Sequence, residues 1–408
     1  TVLTGNEWIG WMNDLIIFVL LVGILLHNFA QDTGWNFGKY LAEIVAAVCG
    51  AVCFIGKPFA DGGAFYRSKK TRESHAGWYV LIGICAAVPC LMVLVLLLMS
   101  ADMVFADLLV RFAGVFRFPV KLLRILLMLV FGFLSSYCGV RYVQKHAADI
   151  KPSAGKTAEP LIAIAFTAPI AVLYLLFSAI QIVYLFIGNM QLPAGVTYAE
   201  YARRGFFQLL FVCVLNLAAV LSIQGYFKEN RVLKALLLAI SGCTLIMTAS
   251  SACRMILYIR AYQLTFLRVS VLVALAVIAL LMAGVIAKIV KPQFPLFRYG
   301  FVLVGAVYLV FSFSHVDYFI AAYNLTHTSW EASGEETVDY SYLYTLSTDA
   351  APAIEKYAGK SGAADYRKQG WYQLYCEANE EALNETGLRT YNVSHAVAKQ
   401  LLMEDNRE

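Results

Sequence analysis

Charge is scarce in this sequence. Of its 408 residues only 14% are Asp, Glu, Lys or Arg, whereas 60% are hydrophobic. A soluble all-helical protein of this length needs charged faces on most of its helices, so that class is excluded. Alternation of polar and apolar residues with period two is also missing, which excludes a β-barrel as the membrane-crossing element. The nine cysteines are odd in number, and eight of them lie in or at the ends of apolar runs, so no disulfide framework follows. Cys49 and Cys53 share a helix face at i,i+4, a spacing read here as two small packing residues. The six histidines, at positions 27, 75, 146, 315, 327 and 395, form neither His-x-x-x-His nor His-Glu-x-x-His, and no metal site is readable. In "SAGKTAEP" the Gly-Lys-Thr lacks its phosphate-loop partner, because the required first glycine falls at Ile150. The opening "TVLTGNEWIGWMND" has no basic n-region of a signal peptide. No cofactor motif is complete, and the cofactor is left unknown.

What remains is a series of apolar runs long enough to cross a hydrocarbon core of about 30 Å. The expected fold class is all-α: a polytopic helical membrane protein of about nine spans with a small helical tail. The runs lie near 12–29, 40–55, 78–100, 120–140, 161–187, 206–226, 233–256, 266–289 and 300–314. The second and last are short, and the parity of the count rests on them.

The net charge of +5 divides unevenly along the chain. Up to His315 there are 25 Lys and Arg against 12 Asp and Glu, and beyond it 7 against 15. Two domains are therefore expected: a basic transmembrane domain, 1–315, and an acidic, mostly helical tail, 316–408. A basic body is the ordinary result of Lys- and Arg-rich cytoplasmic loops and does not imply nucleic acid. Loop charges favour a cytoplasmic N-terminus, and an odd count then puts the tail outside the cytoplasmic membrane. Between the third and fourth spans, "SADMVFADLLVRFAGVFRFP" is amphipathic, with Asp107 and Arg111 at i,i+4, and is expected to lie flat at the outer interface. In the tail, Pro352 after "LSTDAA" fits a first helical turn opened by Ser347 or Thr348.

The stretch "GVTYAEYARRGFFQLLF" concentrates candidate ligand-binding groups just before a span. Thr197 and Glu200 have the spacing of a capping box. Glu200 faces Arg203 and Arg204 at i+3 and i+4, and Tyr198 and Tyr201 suit headgroup level. The plain reading is an interfacial collar. The sharper one adds Arg254, which a helix starting at Lys234 carries to the same outer level. Arginine suits bidentate binding of phosphate, so an anionic lipid or amphiphile is the candidate ligand. The alternative is that the acidic tail neutralises these outer cations. Ser241, Thr244, Thr248 and Ser251 line one face beneath Arg254, and Glu43, Gln181, Gln208 and Asn216 are further polar residues inside spans. His315 and Asp317, at the exit of the last span, read as a solvated interfacial pair or a proton relay.

The blocks "SADMVFADLLVRF", "APIAVLYLLFSAIQIVYLF", "LPAGVTYAEYARRGFFQLLFVCVLNLAAV", "YFIAAYNLTH" and "VDYSYLYTLSTDAAPAI" resemble the bacterial multi-pass membrane family catalogued as domain of unknown function 4173. The likeness covers about residues 78–402 and leaves the first two spans aside. It implies a bacterial cytoplasmic membrane protein with an extracytoplasmic helical tail, and it brings no reaction or ligand.

Three functions are compatible with these residues. The first is binding or translocation of an anionic lipid or amphiphilic small molecule, using Tyr198, Glu200, Tyr201, Arg203, Arg204 and Arg254, and a polar path of Glu43, Gln181, Gln208, Asn216, Thr244, Thr248 and Ser251. The second is a membrane scaffold or sensor whose tail meets an envelope partner. The third is an intramembrane enzyme on a lipid-linked substrate, with Glu43, Glu200 or Asp102 as acid–base groups.

Overall fold

The computed structural model describes residues 2–30, 35, 37–68, 94, 98, 120–146, 156, 158–183, 206–327, 340–358, 367, 369–384 and 391–404. Helices are its only extended elements among these residues, and seven are long and apolar enough to cross a membrane. The protein is an all-α polytopic helical membrane protein. Its long helices are α1 (Glu7–Phe29), α2 (Phe37–Cys53), α3 (Lys57–Ser68), α4 (Val120–His146), α5 (Pro160–Gln181), α6 (Phe206–Tyr226), α7 (Arg231–Tyr262), α8 (Phe266–Val290) and α9 (Leu296–Phe313). All except α2 and α3 are among the seven. The expected last span gains four residues at its start and becomes a full candidate at 18 residues, whereas α2 stays at 17. The expected third span and the amphipathic segment after it lie outside the described residues, apart from Leu94 and Leu98.

The chain forms two compact units, residues 18–153 and residues 1–17 with 154–408. In the first, Leu26 of α1, Ala47 of α2 and Val143 of α4 make the buried core. Gly50 lies against the Tyr142 ring, where an added Cβ would come within 2.2 Å. Asp61 of α3 accepts from Tyr137 at 2.9 Å and from Arg141 at 2.7 Å. The Arg141 guanidinium, helped by the Tyr137 hydroxyl, holds the Asp61 carboxyl below its usual range.

In the second unit α7 is central, packing against α5, α6 and α8, and α8 packs in turn on α9. Asn230 caps α7 by accepting from the Val232 and Leu233 N–H groups, and Thr265 caps α8 through the Arg268 N–H. Close approach of α8 and α9 requires Gly284, because a Cβ there would meet the Tyr299 ring at 2.4 Å. The end of the bundle formed by Ala163, Leu233, Leu237, Val285 and Ile289 is a continuous apolar cluster. Lys156–Glu229 at 2.6 Å and Lys228–Glu159 at 3.0 Å cross-link the polar segments beside it.

At the other end lies the tail. It consists of α10 (Val316–Thr326), 3-10 turns at Leu343–Thr345 and Thr348–Ala350, then α11 (Ala351–Tyr357), α12 (Gly370–Ala378), α13 (Glu380–Asn384) and α14 (Val393–Lys399), closed by a π turn at Gln400–Glu404. Ser347 caps the second turn by accepting from the Asp349 N–H, and Pro352 stands in the first turn of α11, as expected. The tail core joins Ile320, Leu343, Ala353, Ile354 and Tyr375 to Ile9 of α1 and Phe311 of α9, with Phe266, Val269 and Val273 of α8 against it. Asn324 fastens α10 to the α7–α8 connection by accepting from the Leu264 N–H at 2.8 Å and donating to the Leu264 carbonyl at 2.9 Å. Gln263, at a left-handed φ of 64°, is held there by donating to the Asn324 and His327 carbonyls.

The N-terminal residues belong to this same end. The Val393 N–H donates to the Val2 carbonyl at 2.8 Å, Asn392 donates to the Thr4 carbonyl at 2.7 Å, and Asn6 donates to Asp317 at 2.9 Å. These hydrogen bonds join the two segments that the loop charges assign to opposite sides of the membrane.

Candidate functional site

Polar residues gather where α5, α6 and α7 meet. Tyr174 of α5 donates to Asn216 of α6 at 2.8 Å, and Asn216 donates to the Thr244 hydroxyl of α7 at 3.0 Å. Thr244 and Thr248 donate to the carbonyls four residues earlier, Ile240 and Thr244, at 2.7 and 2.8 Å. Such back-bonding satisfies a hydroxyl in an apolar surrounding without any external partner. One to two turns further along α7, Ser250 donates to Gln181 of α5 at 2.7 Å, and Arg254 donates to the same oxygen at 3.4 Å. Arg254 is only 8% exposed.

Hydroxyls flank this pair of residues. Ser251, three residues before Arg254, and Ser178, three before Gln181, are buried and have no hydrogen-bond partner among the described residues. An arginine at the end of a span, beside an amide and several hydroxyls, can hold a planar anion bidentately. Among the described residues the same surroundings offer no nucleophile poised by a base: of the two cysteines buried there, Cys213 takes a contact of 3.4 Å from the Thr248 hydroxyl, and Cys243 packs with Met247 and Ile278.

Of the sequence-derived candidates, the structure brings together Gln181, Asn216, Thr244, Thr248, Ser251 and Arg254. Ser241, Thr244, Thr248 and Ser251 are all buried and form the surface on which α7 packs. Gln208 is exposed on α6, away from this face. Glu43 lies in the other compact unit and pairs with Lys39 at 3.0 Å, so it is spent on an i,i+4 ion pair. Tyr198, Glu200, Tyr201, Arg203 and Arg204, together with the capping box at Thr197, lie outside the described residues, as does Asp102. Tyr174, Ser178 and Ser250 were not singled out from the sequence. The i+3 offset of Ser178 from Gln181 was the available signal.

A second polar cluster joins the tail to the N-terminal residues. His315 faces Asp349, at 3.4 Å, rather than Asp317. Asp317 is buried, not solvated: it is 2% exposed and accepts from Asn6, from the Ser347 hydroxyl at 2.6 Å and from the Ser347 N–H at 3.2 Å. Neither Asp349 nor Asn6 stood out in the sequence, because their contacts, with Thr4 and with Asp317, each span more than 300 residues.

Against known proteins, one family matches: a domain of unknown function (DUF4153), over residues 1–357. The chain belongs to that family. The resemblance to family 4173 is thereby corrected. DUF4153 takes in the first two spans, which that resemblance left aside, and ends at the last residue of α11. Scattered apolar blocks rich in Leu, Val and Ala are shared by unrelated multi-pass proteins, so they discriminate poorly between families. No curated protein and no solved structure matches the DUF4153 chain.

Proposed function

We propose that this DUF4153 protein binds an anionic amphiphile, an anionic lipid or a lipid-linked phosphate, at the tail-side end of α5, α6 and α7. The observation that carries the reading is Arg254: an ionisable side chain inside a membrane bundle is costly and marks a functional position by default. Gln181 and Ser250 orient the guanidinium, and the hydroxyls of Ser178 and Ser251 are free to accept or donate to a ligand's oxygens. Arg203 and Arg204, a few residues before α6, supply the entry charge. The same residues would serve translocation, with Asn216, Thr244 and Thr248 further along the bundle. Lys156, Lys228, Arg231, Lys234, Lys288, Lys291 and Arg298 lie at or beside the helix ends opposite the tail, which by the positive-inside rule makes that side cytoplasmic and puts the tail and N-terminus outside.

Native mass spectrometry with lipid analysis tests the binding. The gently extracted wild type is expected to retain an anionic lipid that Arg254→Gln and the Arg203→Gln, Arg204→Gln double variant lose. Equal retention by folded variants contradicts the reading.

A second reading, a scaffold or sensor, is favoured by the ordered tail. Its core includes residues of α1, α8 and α9, so an envelope partner on the tail would act directly on span ends.

A further inference from the structure

Residues 2–6 run along the tail as a strap. Its main-chain bonds to Asn392 and Val393 are neutral, and its other bonds to the tail among the described residues go to two carboxylates. Asp349 accepts from the Thr4 hydroxyl at 2.5 Å and from the Gly5 N–H at 3.1 Å. Gly5 fits because it lacks a side chain: a Cβ would come within 2.1 Å of the Thr348 hydroxyl oxygen. Asp317 receives the Asn6 amide on Oδ2, the oxygen that also takes both bonds from Ser347, while its Oδ1 is buried with no partner among the described residues.

That asymmetry is the informative feature. A carboxylate anion needs donors on both oxygens when water is excluded, and here one oxygen has none. The described titratable groups around Asp317 do not replace them. Asp349 of the 3-10 turn brings like charge, Tyr375 of α12 donates to the Ser347 carbonyl, and the Tyr342 hydroxyl accepts from the Phe266 N–H. His315, beside α10, faces Asp349 instead.

We propose that the N-terminal segment is a proton-set strap: one proton on Asp317 Oδ1 closes residues 2–6 onto the tail, and its loss at higher pH loosens them. Protonation removes the uncompensated charge and leaves Oδ2 free to keep its three acceptor bonds. Opening exposes Asp317 to water, where the anion is solvated and the proton leaves. Burial, reinforced by the Asp349 charge and opposed by the Ser347 and Asn6 hydrogen bonds, raises the Asp317 carboxyl above its ordinary 3.8 in the closed state. The closed form therefore binds more protons than the open one. Closure is strongest at low pH and weakens as pH rises from 3.8 through the closed-state value. Within that window each pH unit multiplies the open fraction by up to about tenfold.

Hydrogen exchange of the full-length protein in lipid nanodiscs, read on the amides of Gly5, Asn6 and Val393 and corrected for the intrinsic pH effect, tests this. Wild-type protection is expected to fall as pH rises above 3.8, and Asp317→Asn, which cannot ionise, to stay protected throughout. Protection that is flat with pH in the wild type, or that falls equally in Asp317→Asn, overturns the proposal. Asp349→Asn keeps the test decisive if Asp317→Asn does not fold. Removing the like charge is expected to move the transition to lower pH than in the wild type, and an unmoved transition counts against the proposal.

Discussion

The membrane helices and the tail are built on opposite rules. In the spans the large apolar side chains point outward: Phe131 is 74% exposed, Val310 72% and Leu161 71%. Between α5, α6 and α7 a ladder of hydroxyls and amides is buried beside the apolar clusters, with Asn216 and Arg254 among its members. In the tail the order is that of a soluble domain, with Ile320, Leu343, Ile354 and Tyr375 fully enclosed. The difference teaches where each region gets its stability. Lipid is as apolar as leucine, so the spans gain little from burying leucine and associate through packing and interhelical hydrogen bonds. The tail meets water and gains from burial of apolar area itself.

Paired truncations break the comparison most sharply. Ile354→Ala, inside the tail core, is expected to cost about 2–5 kcal/mol, because a cavity is left where the side chain stood. Leu161→Ala, on the lipid-facing surface of α5, is expected to cost far less. Hydrogen exchange resolved by region measures both, and similar losses at the two sites would erase the distinction. A smaller effect sharpens it: Asn216→Leu removes the bridge between Tyr174 and Thr244 and is expected to cost about 1 kcal/mol. Thermal unfolding in detergent reads that change, which on these grounds exceeds the effect of substituting the exposed Gln208 on the same helix.

The fold class was legible because a run of about 20 apolar residues carries its own structural meaning. The α7 stripe was legible for the same reason: Ser241, Thr244, Thr248 and Ser251 repeat at helical spacing on one chain segment. Local signals also gave the Ser347 cap and Pro352. What could not be read was any relation between distant segments. Thr4 with Asp349 and Asn6 with Asp317 are separated by 345 and 311 residues, and no periodicity connects them. Topology meets the same limit, since counting loop cations takes no account of the contact between residues 2–6 and the tail. The site was read in part: Gln181 and Arg254 meet, whereas Glu43 and Gln208 were chosen for polarity alone and turn elsewhere.

The most direct test of this architecture asks on which side each end lies. In a cysteine-free background, Val2→Cys and Leu374→Cys place a thiol at the N-terminal strap and on the tail, at positions 54% and 48% exposed. A membrane-impermeant thiol reagent applied to intact cells is expected to label both, and both to an equal extent after the membrane is opened. Labelling of Leu374→Cys without Val2→Cys in intact cells would put the two ends on opposite sides and contradict the account.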